Sequence, residues 1–248
     1  MNDRNYFPGL DGLRAVFYII IFIFHVELTK SALGLPSICN FYETIFFGEY
    51  AITGFYVLSG FLITLLLLKE KSTAKGISAI NFYKRRILRI WPAYYFYIFI
   101  VLVFLYQNFL FYTSLPQFES AQRLYGDFIA LHILGLPNVA FLMTIVPVLS
   151  HTWTVGTEEQ YYVIWPIVLR YVKNILPFLV TLVIIISGVK LSYHYIKINF
   201  SSEGSFGFWP DVIEDFFYYF RIECMAVGGI MSYLFMNKVG CILSLYSN

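Results

Sequence analysis

The chain has 248 residues, of which 59% are hydrophobic, 21% aromatic and 13% charged. A soluble domain is about half apolar and about a quarter charged, so this composition points away from a soluble domain and towards an all-α polytopic bundle integral to a membrane. The formal net charge of +2 is too small to argue for nucleic acid, and Cys39, Cys224 and Cys241 show neither pairing nor metal-ligand spacing.

The first apolar segment, 10–28, follows Arg4 and lacks a small-residue cleavage site, so it reads as a retained span. Within it, Arg14 and His25 lie eleven positions apart. That spacing is close to three helical turns, so both project from one face, separated by about 16 Å along the axis. Ionisable groups at membrane depth usually face a bundle interior or a watery path. The plainer alternatives are an arginine reaching to the headgroups and a histidine bonded to a neighbouring carbonyl.

The second segment, 50–68, carries no charge, and its Ser59-Gly60 pair reads as a small-residue helix contact. The loop at 69–90 holds Lys69, Lys71, Lys75, Lys84, Arg85, Arg86 and Arg89. Such a loop belongs on the cytoplasmic side, which puts the N-terminus there too. Arg86 and Arg89 share a helix face, and paired guanidinium groups suit phosphates; simple anchoring to inner-leaflet lipids is the alternative. The third segment runs from Trp91 to Tyr112, with Pro92 expected near its first turn.

The stretch 126–149 contains Asp127, His132, Pro137, Asn138 and Pro147. It reads either as a kinked fourth span or as a re-entrant pair of half-helices. Re-entry leaves Arg170 and Lys173 inside, which fits the charge bias better; a single crossing would put them outside and place Glu203, Asp211, Glu214 and Asp215 inside. Irregular backbone at that depth needs a cavity or surrounding protein.

Three further segments follow at 153–172, 175–196 and 213–236. The mouth of the first reads "HTWTVGTEEQYYVIWP" and gathers His151, Trp153, Glu158, Glu159, Tyr161 and Tyr162. Adjacent carboxylates point about 100° apart on a helix, so one of the two can face a given site. A helix start capped by Thr154 or Thr157, with acids at its positive end, explains the acids without the histidine and tryptophan. Further on, Arg221 sits in an apolar run, two residues from Glu223 and on a different face, so it needs a partner on another helix.

Five stretches together resemble the bacterial membrane acyltransferase 3 family. They are "FPGLDGLRAVFYIIIFIFH", "FYVLSGFLI", "FYKRRILRIWPAYY", "HTWTVGTEEQYYVIWP" and "FYYFRIECMAVGGIMSYL", in that order. The resemblance covers most of residues 6–236 and implies one transmembrane acyltransferase-like domain over 1–248. It implies transfer of an acyl group, usually acetyl, from cytoplasmic acyl-coenzyme A to a hydroxyl of an extracytoplasmic carbohydrate or lipid-linked glycan, lipopolysaccharide among them. Acyl-coenzyme A is then a cosubstrate, with no resident cofactor or metal, and the setting is the lipid of the inner (plasma) membrane. By position, Arg14, His25, Arg86, Arg89, Glu158 and Arg221 fall on the family's functional or strongly patterned sites. The expected roles are His25 as base or as carrier of a covalent acyl group, Glu158 orienting it or stabilising its charged form, and Arg14, Arg86 and Arg89 holding the donor phosphates, with His151, Trp153, Tyr161 and Arg221 in support. Family members often carry Asp where Thr53 stands, and they are usually longer with more spans, so a short or truncated member is expected. The rival readings are an inactive remnant or accessory protein of the same fold, and a transporter.

Overall fold

The computed structural model describes residues 8–32, 34–36, 38, 41–104, 125–143, 149, 151–200, 216–217 and 219–246. The acidic run from Glu203 to Asp215, residues 144–148 and Cys39 lie outside the described residues, as does the side chain of Cys241. Among the described residues, eight helices are defined: α1 (Pro8–Ala32), α2 (Phe41–Lys71), α3 (Ala79–Phe104), α4 (Tyr125–Ile133), α5 (Pro137–Met143), α6 (Trp153–Tyr171), α7 (Ile175–Phe200) and α8 (Ile222–Tyr246). The described residues contain no strand, and the architecture is an all-helical bundle. Three helical stretches, Gly9–Ser31, Thr44–Lys71 and Ile175–Ile196, are long and apolar enough to cross a bilayer.

α2 is the central post. Of the most apolar window in each of these three stretches, 61% is buried in α2, against 6% in α1 and 11% in α7. The tightest contact is between α2 and α8, where Gly60 faces the Met225 backbone and Gly228 faces the Val57 carbonyl. Backbones that close leave no room for a side chain, so glycine is required at both positions. On one side of this pair lies α1; on the other, Arg221 at the head of α8 joins Glu49 of α2, and Lys190 of α7 joins Glu223 of α8.

Helix bounds depart from the hydropathy pattern where charged residues continue a helix beyond its apolar part. α2 begins nine residues before position 50, through Glu43 and Glu49. α3 begins at Ala79, so the basic turn belongs to the same helix and Pro92 lies in its interior, not in its first turn.

Four hydrogen bonds fix the direction of α6. Lys71 donates to the carbonyls of Leu169 (2.7 Å) and Val172 (2.6 Å), tying the end of α6 to the end of α2. Tyr83 donates to the Val163 carbonyl at 2.7 Å, and the Trp91 indole approaches Glu159 at 3.4 Å, so α3 and α6 run antiparallel. α6 therefore starts at the far end and finishes at the basic end, with Arg170 and Lys173. α4 and α5, with nine and seven residues, are far shorter than the roughly 20 residues a span needs. A turn at Gly135 (φ 73°) joins them, closed by Leu136 N–H to the Leu131 carbonyl at 2.8 Å and Gly135 N–H to the His132 carbonyl at 3.2 Å. Left-handed glycine and a following proline end one helix and start the next. The tyrosines of α3 hold this elbow, Tyr94 donating to the His132 carbonyl and Tyr95 to that of Ile133, both at 2.9 Å. Among the described residues of this stretch, two short helices meet at an elbow.

Candidate active site

α1 turns Arg14, Phe17, Ile21, Phe24, His25 and Leu28 inward and leaves Leu13, Val16, Ile19, Ile23 and Val26 exposed. The inward stripe follows the helical period, and it carries both ionisable residues singled out by spacing. They open onto two different cavities.

The first cavity, about 300 Å³, lies at the basic end and is lined by Asp11 and Arg14 of α1, Ser59 and Lys69 of α2, Arg86 and Arg89 of α3, and Tyr162 of α6. Arg14 lies over the Phe55 ring at 5.8 Å, and Arg86 is held between the rings of Phe82 and Tyr162, each at 5.4 Å. The Arg86 Nε is buried with no hydrogen-bond partner. Arg86 precedes the apolar part of α3; burial pulls its pKa down, Tyr162 opposes that, and Arg89 adds to it. A guanidinium stays charged through such a shift. Among the described residues, neither Arg14, Arg86 nor Arg89 closes an ion pair with a carboxylate. Aromatic faces hold Arg14 and Arg86 in place while leaving their donors free.

Glu158 borders this cavity. It accepts hydrogen bonds from Ser59 (2.9 Å) and Tyr162 (3.0 Å) and lies within electrostatic reach of Arg14 and Arg86. Glu159, one position on, turns away to Trp91. The expected division between adjacent carboxylates is present, but the expected link from Glu158 to His25 is not: both Glu158 oxygens are engaged elsewhere. The helix-start expectation also changes, since Thr152 occupies the cap position without a side-chain cap bond and gives its hydroxyl to the Leu149 carbonyl at 2.6 Å.

The second cavity, about 860 Å³, is mainly apolar and bounded by α1, α3 and the approach to α6. His25, His151, Tyr94 and Tyr97 line it, and Arg89 lines both cavities. Both ring nitrogens of His25 lack hydrogen-bond partners. The neighbour of His25 is His151, with ring centroids 5.8 Å apart, and His151 in turn packs on Tyr97 at 5.1 Å. Burial, aided by nearby His132, holds the His151 pKa below its ordinary value.

Three of the sequence candidates lie elsewhere. Tyr161 is buried in the core, stacked on Trp165 at 4.3 Å. Trp153 sits in an aromatic cluster with Tyr56 and Tyr219. Arg221 pairs with Glu49 and donates to the Thr53 hydroxyl at 2.9 Å. With Thr53 standing where an Asp is often found, the carboxylate opposite Arg221 comes from Glu49, one turn earlier. Ser59, Lys69 and Tyr162 were not assigned to the site by the sequence reading. Tyr162 had a signal, because it stands four positions after Glu158 and shares its face.

Comparison with known proteins follows the same lines. The O-acetyltransferase OatA of Staphylococcus aureus is 30% identical over 214 residues, covering 79% of this chain and 31% of the relative. The peptidoglycan O-acetyltransferase OatA of Listeria monocytogenes is 31% identical over 185 residues, covering 69% of this chain and 26% of the relative. The chain thus spans about a third or less of the length of these relatives. No solved structure matches. Residues 7–237 match the acyltransferase domain that defines the acyltransferase 3 family, and the chain belongs to that family.

Proposed function

We propose that the protein is a membrane O-acyltransferase that moves an acetyl group from acetyl-coenzyme A to a hydroxyl of an extracytoplasmic glycan. The observation that carries this reading is the junction at Arg89. A cavity bordered by guanidinium groups with no carboxylate in salt-bridge contact meets an apolar chamber that holds an unpartnered imidazole.

Arg14, Arg86 and Arg89 bind the phosphates of the donor, for which a guanidinium fork in a partly dry site is suited. Their place beside the basic loop supports a step on the cytoplasmic side of the plasma membrane, with the N-terminus inside. The neutral arm of the donor passes Arg89 into the chamber. The rise from Arg14 to His25 is about 16 Å, comparable to an extended pantetheine arm, so the thioester carbonyl arrives beside His25. His25 takes the proton of the acceptor hydroxyl, the oxygen attacks the carbonyl, the C–S bond breaks, and the departing sulfur takes the proton from His25. A positioned base contributes roughly 100- to 10,000-fold. Glu158, fixed by Ser59 and Tyr162, keeps the two nearest guanidinium groups in register.

The name of the Listeria monocytogenes relative favours peptidoglycan over lipopolysaccharide as the acceptor. The reading is tested with purified protein, labelled acetyl-coenzyme A and soluble peptidoglycan fragments. His25→Ala is expected to abolish label transfer while membrane insertion and elution in detergent stay as in the unaltered protein. Full turnover in that variant removes His25 from the mechanism.

A further inference from the structure

The chemistry above leaves one imidazole without a task. His151 sits just ahead of α6, its ring facing His25 across the chamber wall. Its ring makes no hydrogen bond among the described residues, and its support is aromatic, from Tyr97 of α3. Most of the other polar groups that face the chamber are committed or poorly placed. Lys30 is paired with Glu27 at 2.8 Å, Tyr94 is bound to the His132 carbonyl, Thr152 to the Leu149 carbonyl, and Arg89 stands at the entrance shared with the basic cavity. The electrostatic neighbour from α4 is His132, whose ring is tied to the Phe128 carbonyl at 2.8 Å. Tyr18, from α1, lines the rim. Two imidazoles without hydrogen bonds therefore meet at one place in a mainly apolar space.

Resting on the proposed acyl transfer, we propose that His151 binds the acceptor hydroxyl and holds it against His25. With ring centroids 5.8 Å apart, a hydroxyl seated across the pair can donate its proton to a His25 nitrogen and accept an N–H from His151. The two bonds aim a lone pair of the hydroxyl oxygen at the thioester carbonyl. In the transfer step His151 neither gains nor loses a proton; the proton passes from hydroxyl to His25 to sulfur, as the O–C bond forms and the C–S bond breaks. Placing the nucleophile in this way is worth far more than adding a second base, because misorientation is costly in such displacements.

Two substitutions separate this role from simple packing. His151→Phe keeps a ring against Tyr97 and removes the N–H; His151→Asn loses the ring and keeps an amide N–H. The unaltered protein and both variants are assayed in detergent with labelled acetyl-coenzyme A and soluble peptidoglycan fragments. If His151 positions the hydroxyl, His151→Phe raises the acceptor KM by about tenfold, the scale of one lost hydrogen bond, leaves the donor KM unchanged, and elutes normally. His151→Asn then recovers part of the loss. Unchanged acceptor KM in His151→Phe, or greater damage in His151→Asn than in His151→Phe, overturns the inference and leaves a packing role. Absence of transfer by the unaltered protein, with donor binding intact, overturns the functional reading and this inference together.

Discussion

Tyr161 and Tyr162 are neighbours in sequence with opposite surroundings. Tyr161 stacks on Trp165 and reaches the Thr64 hydroxyl at 3.4 Å, inside the core between α2 and α6. Tyr162 donates to Glu158 and forms one face of the cradle around Arg86. Replacing Tyr162 by Phe keeps that aromatic face but frees one oxygen of a carboxylate within reach of two guanidinium groups. Donor affinity, measured by titration calorimetry with acetyl-coenzyme A, is expected to fall by about tenfold to 150-fold for Tyr162→Phe, the span of one hydrogen bond to a charged group. It is expected to stay unchanged for Tyr161→Phe, whose effect appears in thermal stability instead. Sequence alone made the cations and Glu158 legible, because charge is rare in apolar runs. It did not single out Tyr162, despite the four-residue spacing from Glu158, because the aromatic residues of α6 spread over about half of its circumference. Ser59 was hidden for a different reason: its partner lies 99 positions away, and a serine beside a glycine reads as packing. The structure gives the two neighbours separate tasks, Gly60 meeting α8 and Ser59 meeting α6.

At the scale of elements, the molecule depends on how closely α8 approaches α2. A Cβ on Gly60 would overlap the Met225 carbonyl, and one on Gly228 would overlap that of Val57. Neither obstacle is the end of a flexible side chain, so the helices themselves must move apart. Gly60→Ala and Gly228→Ala are each expected to cost about 1–3 kcal/mol, read as a lower midpoint in thermal unfolding in detergent. Gly188 of α7 is the internal control. A Cβ there meets nothing within 4 Å, so Gly188→Ala gains up to about 1 kcal/mol from helix propensity alone. If all three variants unfold together, the α2–α8 contact is looser than the structure shows. The apolar periodicity revealed that these helices exist, and their small residues marked a contact. The partner of that contact was beyond the sequence, since in lipid the apolar pattern does not distinguish a buried helix from an exposed one. α2 and α7 read alike, yet one is the centre of the bundle and the other its rim.

The whole molecule turns on a count of crossings. Charge bias favoured re-entry for 126–149 by just two residues, Arg170 and Lys173. The structure adds the bonds from Lys71 to the Leu169 and Val172 carbonyls. An ammonium group that caps the last turn of α6 also satisfies carbonyls left open by the helix end, so the link is favourable in itself and sets direction. Because α6 runs towards the basic end, the two chambers stack along it in the order that the proposed transfer needs. The proposed donor site lies beside the basic loop, and the paired imidazoles stand nearer the start of α6. This arrangement is tested by single cysteines at exposed positions, on a background in which the native cysteines are replaced by serine. Ala74→Cys, in the basic loop, and Lys173→Cys, after α6, should both resist an impermeant thiol reagent in intact spheroplasts and react once the membrane is opened. Leu35→Cys, on the chamber rim beyond α1, should react in intact spheroplasts. Labelling of Lys173→Cys from outside would mean that the chain crosses once more between α3 and α6. The Lys71 bonds could not then form, and His25 and the guanidinium cluster would lose the common axis on which acyl transfer between the two sides depends.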